Sequence, residues 1–193
     1  RIMSRMLAMV GESGSGKDAI RRALCNDHDF KNVVSCTTRS PRLGEREGID
    51  YCFLSNERFE SSIKVGVLAE WTKYEGDRYY GSLKSDYRDC GIDIINVLTP
   101  DGVRQLKRNI PDLDIFVVYI TAPLRVRAQR YITRCADNFS TSDMTELSNR
   151  TQRDSAMFVG MEQEANLIVH NTGSIEDAAT YIWEKFNGEK ERR

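Results

Sequence analysis

Residues 11–17 read Gly-Glu-Ser-Gly-Ser-Gly-Lys and follow the apolar run Met6-Leu7-Ala8-Met9-Val10. Glycines at this spacing let a backbone fold tightly around an anion, so that several N–H groups point inward. The next segment, Ala19–Leu24, predicts a helix, whose positive end attracts a phosphate group. An apolar strand, a glycine-rich turn and a helix therefore predict nucleotide phosphate binding by Gly11, Ser13, Gly14, Ser15, Gly16 and Lys17.

The bulk composition predicts one domain without a nucleic-acid or membrane partner. The chain has 193 residues, a formal net charge of −1 and 30% charged residues, so it lacks a global basic field. No apolar run approaches the ~18 residues that a membrane span needs. Five scattered cysteines and two histidines argue against a zinc site and a disulfide framework. We therefore expect a cytoplasmic protein.

The order of elements predicts an α/β fold, because buried strands that alternate with helices form a parallel sheet flanked by helices. Helix starts are indicated at Thr99-Pro100 and Ser174. Residues 37–88 are rich in Gly, Tyr and charged residues and contain short strand patterns. They predict an inserted mixed-β lobe between core segments 5–36 and 89–187. The stretch Cys135–Thr145 is polar and unpatterned between two helical segments, and it predicts a mobile cover over the phosphates, with a lid at about 135–150. The strand candidates are Met6–Val10, Asn32–Ser35, Asp93–Leu98, Ile115–Thr121 and Leu167–His170, with Asp50–Leu54 and Leu68–Tyr74 in the lobe.

A second anion site is indicated in the lobe. Arg39 and Arg42 flank Pro41, which stiffens the backbone so that two guanidinium groups can face one tetrahedral anion. Hydroxyl donors are available nearby at Tyr51, Tyr79 and Tyr80. Two phosphate sites in one chain are what phosphoryl transfer requires, because its catalysis is mostly positioning and charge neutralisation.

The lobe resembles the nucleotide-monophosphate lobe of guanylate kinases, and with the phosphate loop the resemblance spans about residues 5–187. The matching residues are Ser35-x-Thr37-Thr38-Arg39-x-Pro41-Arg42-x-Gly44-Glu45-x-x-Gly48-x-Asp50-Tyr51-x-Phe53, then Glu70-Trp71 and Tyr79-Tyr80-Gly81-Ser82. The resemblance implies a P-loop kinase with a helical lid. It also implies transfer of phosphate from ATP to GMP or dGMP, with Mg²⁺ as cofactor.

The resemblance also implies roles for individual residues. Lys17 would bridge the transferred phosphoryl group, and lid arginines would close on it in the transition state. A carboxylate at position 70 suits guanine, since it can accept from both the ring N1–H and the exocyclic amine. By position the lid arginines are Arg130, Arg134, Arg150 and Arg153. The residues that would bind the acceptor phosphate are Arg39, Arg42, Tyr51 and Tyr80, and those that would bind guanine are Ser35, Glu70 and Ser82. Asn171 would lie near the donor adenine.

Two positions depart from the family pattern. Asp18 stands where a Ser, Thr or Gly follows the loop lysine, as in phage-type members of the family. The family's Asp-x-Asp ahead of Gln-Gly is replaced by Asn96-Val97-Leu98-Thr99-Pro100-Asp101-Gly102. Asp18 either stabilises the start of its helix or supplies the carboxylate that Mg²⁺ prefers.

Other functions stay open from the sequence. A deoxynucleoside monophosphate kinase of broader specificity would share the fold with a relaxed base site. A ribose 1,5-bisphosphate phosphokinase would share the ending Gly-Ser-Gly-Lys-Asp at residues 14–18. A non-catalytic interaction module typically loses the phosphate loop, which this chain keeps. The assembly is expected to be a monomer or a homodimer.

Overall fold

The computed structural model of the protein describes residues 4–42, 44–74, 76–88, 91–135 and 139–190. The strands are β1 (Arg5–Val10), β2 (Phe30–Asn32), β3 (Cys36–Thr37), β4 (Cys52–Phe53), β5 (Leu68–Tyr74), β6 (Arg78–Leu83), β7 (Asp93–Val97), β8 (Asp114–Thr121) and β9 (Leu167–His170). The helices are α1 (Lys17–Asp27), α2 (Asn56–Lys64), α3 (Pro100–Asn109), α4 (Leu124–Cys135), α5 (Thr141–Met157), α6 (Met161–Glu164) and α7 (Ile175–Lys190), with a 3-10 helix at Lys84–Tyr87.

Two sheets organise these elements. One has the strand order β2-β7-β1-β8-β9, with parallel pairing of β2 to β7 and of β8 to β9. The other has the order β4-β3-β6-β5 and is mixed, since β3 runs parallel to β4 and antiparallel to β6. The parallel sheet with helices and the separate mixed sheet confirm the predicted fold class.

The chain divides into two compact units. Unit 1 consists of Arg1–Met6 and Phe30–Ile115, and unit 2 consists of Leu7–Asp29 and Phe116–Arg193. In unit 2, helices α1 and α7 pack together. Their inward side chains Ile20, Leu24, Ile182 and Phe186 are fully buried. This apolar packing fixes the start of α1, where the glycine-rich loop ends.

In unit 1, the mixed sheet covers an apolar cluster. Cys36, Phe59, Leu68 and Tyr79 are buried together, and the rings of Phe59 and Tyr79 stack with centroids 5.1 Å apart. Helix α3 packs on β5, where Gln105 accepts from the Trp71 N–H at 3.1 Å and donates to its carbonyl oxygen at 2.8 Å. Strand β5 is therefore held by β6, the apolar cluster and α3.

Most predicted elements are confirmed, and the differences have local causes. The bounds of β5 and β9 match the prediction, and Thr99 and Ser174 accept from backbone N–H groups at the starts of α3 and α7. The second strand was predicted too late in the chain, since β2 ends at Asn32. Within the described ranges, no helix is both long and apolar enough to cross a lipid bilayer.

Part of the stretch predicted to be unpatterned is helical. Helix α4 extends to Cys135, and α5 begins at Thr141. Ser140 and Asp143 form a reciprocal cap, in which each side chain accepts from the other residue's backbone N–H. The prediction was wrong for residues 141–145, because a capping box with few apolar residues was read as a loop. Residues 136–138 of this stretch lie outside the described residues.

Replacing Phe59 tests the packing of unit 1. Phe59 is fully buried, so Phe59→Ala removes its contact with Tyr79 and leaves a cavity. We expect a loss of about 3–5 kcal/mol in the free energy of unfolding, measured by chemical denaturation. Val65→Ala is the control because the Val65 side chain is 67% exposed. An equal effect of both substitutions would contradict this account of the cluster.

Candidate functional site

The glycine-rich loop adopts the tight turn that its sequence predicts. Gly14 and Gly16 have φ angles of 79° and 97°, in the left-handed region that favours glycine. A Cβ atom at Gly14 would lie 2.8 Å from the backbone oxygen of Arg127, and one at Gly16 would collide with Nδ2 of Asn171. Both positions therefore require glycine for their conformation and for space.

Two side chains hold this loop through its carbonyl groups. Arg130 donates to the backbone oxygens of Gly14, Ser15 and Asn171 at 3.3, 3.2 and 3.0 Å. Asn171 is buried and donates from Nδ2 to the Ser15 oxygen at 2.8 Å. Engaging these carbonyl groups orients their peptide units. The Ser15 N–H of the same stretch donates to the Glu12 carbonyl oxygen at 3.1 Å.

Lys17 opens α1 beside several carboxylates. Its Nζ donates to the backbone oxygen of Glu12 at 2.9 Å. Burial lowers the pKa of Lys17, and the negative charges of Asp18, Asp154 and Glu12 oppose that effect. The Asp18 side chain is exposed in the first turn of α1. A lysine that already faces three carboxylates can remain charged while partly buried, as phosphate binding requires.

Asp154 of α5 is a residue at the loop that no sequence motif indicates. Its carboxylate is buried, accepts from the Ser13 N–H at 2.6 Å, and lies 3.8 Å from a guanidinium nitrogen of Arg127. It therefore engages a loop amide as an anion would. Asp154 lies 141 residues from Ser13 in the sequence, and no local pattern around it indicates this contact.

Three buried polar atoms near the loop lack partners among the described residues. They are Ser15 Oγ, Glu12 Oε2 and Asn171 Oδ1. The other Glu12 oxygen accepts from the Tyr119 hydroxyl at 2.9 Å. Buried polar atoms without hydrogen bonds are costly, so a cluster of them at one loop suits a polar ligand.

Two of the other arginines predicted for the lid, Arg134 and Arg150, contact one aromatic ring. Arg134 and Arg150 lie over the Tyr131 ring, at 5.3 and 5.5 Å from its centroid. Arg150 also contacts Glu146 at 2.7 Å. Arg153 is half-buried in α5, next to Asp154. Arg134 and Arg150 thus share Tyr131, and Arg130 supports the loop separately. The closure of these arginines on a phosphoryl group stays a prediction.

In unit 1, Arg39 is held in a fixed orientation. Its guanidinium donates to both carboxylate oxygens of Glu45 at 2.7 and 2.6 Å, and lies 4.9 Å from the Tyr51 ring centroid. These hydrogen bonds lower the pKa of Glu45 to about 2. They also raise the pKa of Arg39, and the nearby Tyr80 hydroxyl contributes to that rise. Arg39 Nε is buried without a partner among the described residues. One donor thus remains available beside Tyr51 and Tyr80.

The other predicted phosphate residues differ in their surroundings. The Tyr80 ring meets Tyr51 edge-on at 6.0 Å, whereas Tyr79 is buried and donates to Glu60 at 3.1 Å. Successive residues of a strand face opposite sides, so the suggestion that Tyr79 joins the anion site is wrong. Arg42 is exposed, and Ser35 is half-buried just before β3.

Glu70 and Ser82 form a buried pair across β5 and β6. The Ser82 hydroxyl donates to Glu70 Oε1 at 2.6 Å. Ser82 is 0% exposed and Glu70 is 5% exposed. No described residue donates to Glu70 Oε2. Burial raises the pKa of Glu70 to about 7, the Ser82 hydrogen bond opposes this rise, and the negative charge of Asp101 adds to it.

Two further buried residues continue from this pair. The Tyr87 hydroxyl lies 2.7 Å from Ser82 Oγ, and Asn96 Nδ2 donates to the Tyr87 oxygen at 2.8 Å. Both residues are buried. The sequence analysis noted Asn96 only as a departure from the family pattern, and it did not single out Tyr87. Their pairing depends on where the 3-10 helix and β7 meet.

The raised pKa of Glu70 predicts a pH-dependent stability. Because the folded protein binds this proton more tightly than the unfolded chain, the stabilising contribution is complete below pH 4.5 and is lost as the pH rises through about 7. We expect the free energy of unfolding to fall by about 2–3 kcal/mol between pH 5 and pH 8. Glu70→Gln should flatten this part of the profile.

Glu60→Gln serves as the matched control, because Glu60 is exposed and its partner is the Tyr79 hydroxyl. In this variant the free energy of unfolding should fall with pH as it does in the unmodified protein. The same fall in the Glu70→Gln variant would show that another group titrates between pH 5 and pH 8.

The Asp154 contact predicts competition with phosphate at the loop. Asp154→Ala removes the acceptor of the Ser13 N–H, so pyrophosphate or ATP should bind more tightly, by about tenfold. The ligand-free variant should be less stable, since Arg127 loses a buried partner. Calorimetric titration measures the affinity.

Asp143→Ala, which removes the capping carboxylate of the same helix, is the control and should leave the affinity unchanged. Weaker binding by Asp154→Ala would contradict competition and would indicate that this carboxylate helps to hold the ligand.

Comparison with known proteins agrees with these features. The family model "Guanylate kinase" matches residues 3–185. The chain is 35% identical over 138 residues to a guanylate kinase from Streptococcus mutans, covering 69% of this chain and 65% of that one. It is 34% identical to a guanylate kinase from Enterococcus faecalis, covering 70% and 68%. The chain thus spans about two thirds of the length of these relatives.

The fold has a solved counterpart. The crystal structure of guanylate kinase from Anaplasma phagocytophilum is similar with a TM-score of 0.70 at 23% identity, covering 97% of this chain and 86% of that one. A similarity at this level of identity shows the fold. Because the family model covers nearly the whole chain, the protein belongs to the guanylate kinase family.

Proposed function

We propose that the protein transfers a phosphoryl group from ATP to GMP or dGMP. The observation that carries the proposal is the buried Glu70 carboxylate, which keeps one oxygen without a described donor. Guanine presents two adjacent N–H donors, at N1 and the exocyclic amine, and a carboxylate can accept from both. Adenine lacks this donor pair, so one such contact is worth about 1–3 kcal/mol of discrimination.

The donor nucleotide is assigned to the glycine-rich loop. The backbone N–H groups of Gly16 and Lys17 lie at the start of α1, and Lys17 supplies a positive charge close to them. The N–H groups of Ser13 and Ser15 can join them only by leaving Asp154 and the Glu12 carbonyl oxygen. Charge neutralisation of this kind is the main protein contribution to phosphoryl transfer. In this proposal Arg130 shapes the loop through its carbonyl groups, and Arg134, Arg150 and Arg153 supply the lid charges.

The acceptor phosphate is assigned to Arg39, with Arg42, Tyr51 and Tyr80. Support comes from Arg39 Nε, a buried donor without a described partner, and from the rings that hold its guanidinium group. A guanidinium fixed by a carboxylate loses little conformational freedom on binding. Ser35 joins Glu70 and Ser82 in reading the base.

Mg²⁺ is proposed as the cofactor. Among the described residues there is no group of three or more His, Cys, Asp or Glu side chains that could hold a metal ion by itself. Mg²⁺ usually retains several waters and binds through one or two carboxylates and the substrate phosphates. The exposed Asp18 carboxylate at the loop fits this mode. The ion would neutralise phosphate charge there.

A cytoplasmic location is proposed as well. The four described cysteines Cys25, Cys36, Cys52 and Cys135 are free thiols, which is usual in a reducing compartment. The proposed partners are the nucleotide substrates, without nucleic acid or a membrane, and the assembly is a monomer or homodimer.

An acceptor panel tests the proposed function. ADP release from ATP and Mg²⁺ is measured with GMP, dGMP, AMP, UMP, dTMP and ribose 1,5-bisphosphate. We expect turnover with GMP or dGMP that exceeds AMP by about tenfold or more in kcat/KM. Arg39→Lys keeps the charge but loses the fork geometry, so it should raise the KM for GMP and leave the KM for ATP unchanged.

Each other outcome points to a different function. Equal turnover of several deoxynucleotides would indicate a broader monophosphate kinase. Turnover of the sugar phosphate alone would indicate a ribose 1,5-bisphosphate phosphokinase. ADP release from none of them would contradict an enzyme and favour an interaction module.

A further inference from the structure

One buried aromatic ring of unit 2 contacts an arginine from each of two helices. Tyr131 and Arg134 belong to α4, Arg150 belongs to α5, and the two helices pack together. The guanidinium carbons of Arg134 and Arg150 lie 5.3 and 5.5 Å from the centroid of the Tyr131 ring. Both distances are within the range of cation–π attraction. Tyr131 is 7% exposed, so packing fixes the ring that both cations share.

The ring holds these cations without occupying their hydrogen-bond donors. Within the described ranges, Glu146 is the only carboxylate that either guanidinium group contacts, at 2.7 Å from Arg150 Nε. A carboxylate neutralises a guanidinium group and takes up its N–H donors, whereas a ring face does neither. Tyr131 thus places two cations while most of their donors stay available for an anion.

The attraction comes from the ring face and not from a charged hydroxyl. Burial raises the pKa of Tyr131, the positive charge of Arg150 opposes that rise, and the negative charges of Asp143 and Glu146 add to it. The phenol therefore stays neutral near pH 7. Asp143 itself accepts from the Ser140 N–H and hydroxyl at 2.9 and 2.6 Å. A phenylalanine ring at position 131 would offer the arginines the same attractive face.

A contact made before ligand binding lowers the entropic cost of using an arginine. An arginine side chain has many rotamers, and it loses this freedom when it binds an anion. The ring restricts Arg134 and Arg150 in the ligand-free protein, so less freedom remains to be lost. Arg130 differs from both, because its guanidinium group already donates to three backbone carbonyl groups.

We propose that Tyr131 is a positioning residue, which holds Arg134 and Arg150 in place for the transferred phosphoryl group. This inference rests on the proposed function, in which both arginines supply lid charges. In phosphoryl transfer, negative charge spreads over the equatorial oxygens of the transferred group, and cations that are already in place stabilise it. Tyr131 acts through the two arginines and not on the phosphoryl group itself.

NMR signals of the arginines in the ligand-free protein test the contact without any assay of activity. An aromatic ring shifts the signals of nuclei above its face, so the Nε–H and δ-methylene signals of Arg134 and Arg150 report on Tyr131. Tyr131→Leu should move these signals toward those of exposed arginines, and Tyr131→Phe should keep them. Leucine fills much of the buried volume, so α4 and α5 should stay packed. Unchanged signals in Tyr131→Leu would overturn the proposal.

Kinetics and binding test the purpose of the contact. Tyr131→Leu should lower kcat for GMP by about tenfold, as the loss of two exposed cation–π contacts would, and leave both KM values within about twofold. Affinity for ADP with aluminium fluoride and GMP, which imitates the transferred phosphoryl group, should fall by the same factor. Affinity for ADP alone should not change, although a merely structural defect would lower it.

Two variants serve as controls. Tyr131→Phe keeps the ring face, so it should retain about half of kcat or more. Tyr181→Leu is the matched variant, because Lys185 lies 5.3 Å from the Tyr181 ring centroid on α7. It should leave kcat and the affinity for the aluminium fluoride complex unchanged. A tenfold loss of kcat in either control would overturn the proposal. Tyr131→Met supplies a second aliphatic side chain if chemical denaturation shows that Tyr131→Leu does not fold.

Removing one arginine tests whether Tyr131 acts through the pair. In an Arg150→Ala background one of the two ring contacts is absent, so Tyr131→Leu should lower kcat by about threefold instead of tenfold. An undiminished effect would show that Tyr131 acts independently of Arg150, and it would overturn the proposal.

The inference and the proposed function fail in different ways. A normal kcat for GMP in Tyr131→Leu would overturn the inference and leave the proposed function intact. Absence of GMP turnover by the unmodified protein would overturn the proposed function. The arginine NMR signals need no substrate, and they would still decide whether the ring holds both side chains.

Discussion

The backbone turn between β1 and α1 is the constraint on which unit 2 depends. Its N–H groups can face an anion only if its carbonyl groups are engaged elsewhere. Arg130 and Asn171 engage them, from helix α4 and from the residue after β9. Gly14 and Gly16 leave no space for a Cβ atom beside these supports. The loop is therefore held as much by distant side chains as by its own glycines.

Asp154 gives this loop an internal partner. A buried carboxylate that accepts from Ser13 and lies near Arg127 and Lys17 compensates positive charge inside unit 2. Such compensation stabilises the ligand-free protein, because unpaired buried charge is costly. The same carboxylate opposes a phosphate at the same amide. Stability and ligand affinity are in this way linked through one residue.

In unit 2 the buried carboxylate of Asp154 lies near cations, whereas in unit 1 the buried carboxylate of Glu70 has no cation beside it among the described residues. Glu70 is buried against Ser82, and hydrogen bonds rather than an ion pair compensate it. The Ser82 hydroxyl favours the charged form of Glu70, while burial and the negative charge of Asp101 disfavour it. The pKa of Glu70 is thus set by burial, with one hydrogen bond in opposition.

Local patterns predicted much of the fold and the family. Strands β5 and β9 and the caps Thr99 and Ser174 follow from alternation and from short-range backbone contacts. The start of α5 at Thr141 did not follow, because a capped polar helix has little apolar periodicity. The suggestion that Tyr79 joins the anion site was also wrong for a local reason. Alternation along β6 places Tyr79 and Tyr80 on opposite faces of the sheet.

The sequence by itself indicated the glycine-rich loop and the mixed-β lobe, because their glycines, arginines and Glu70 belong to short motifs. Only the tertiary structure decided that Arg130 and Asn171 hold the loop, that Asp154 accepts from Ser13, and that Tyr87 connects Ser82 to Asn96. The physical reason is that most of these contacts join segments far apart in the chain. Burial then makes each polar atom depend on the partner that folding provides.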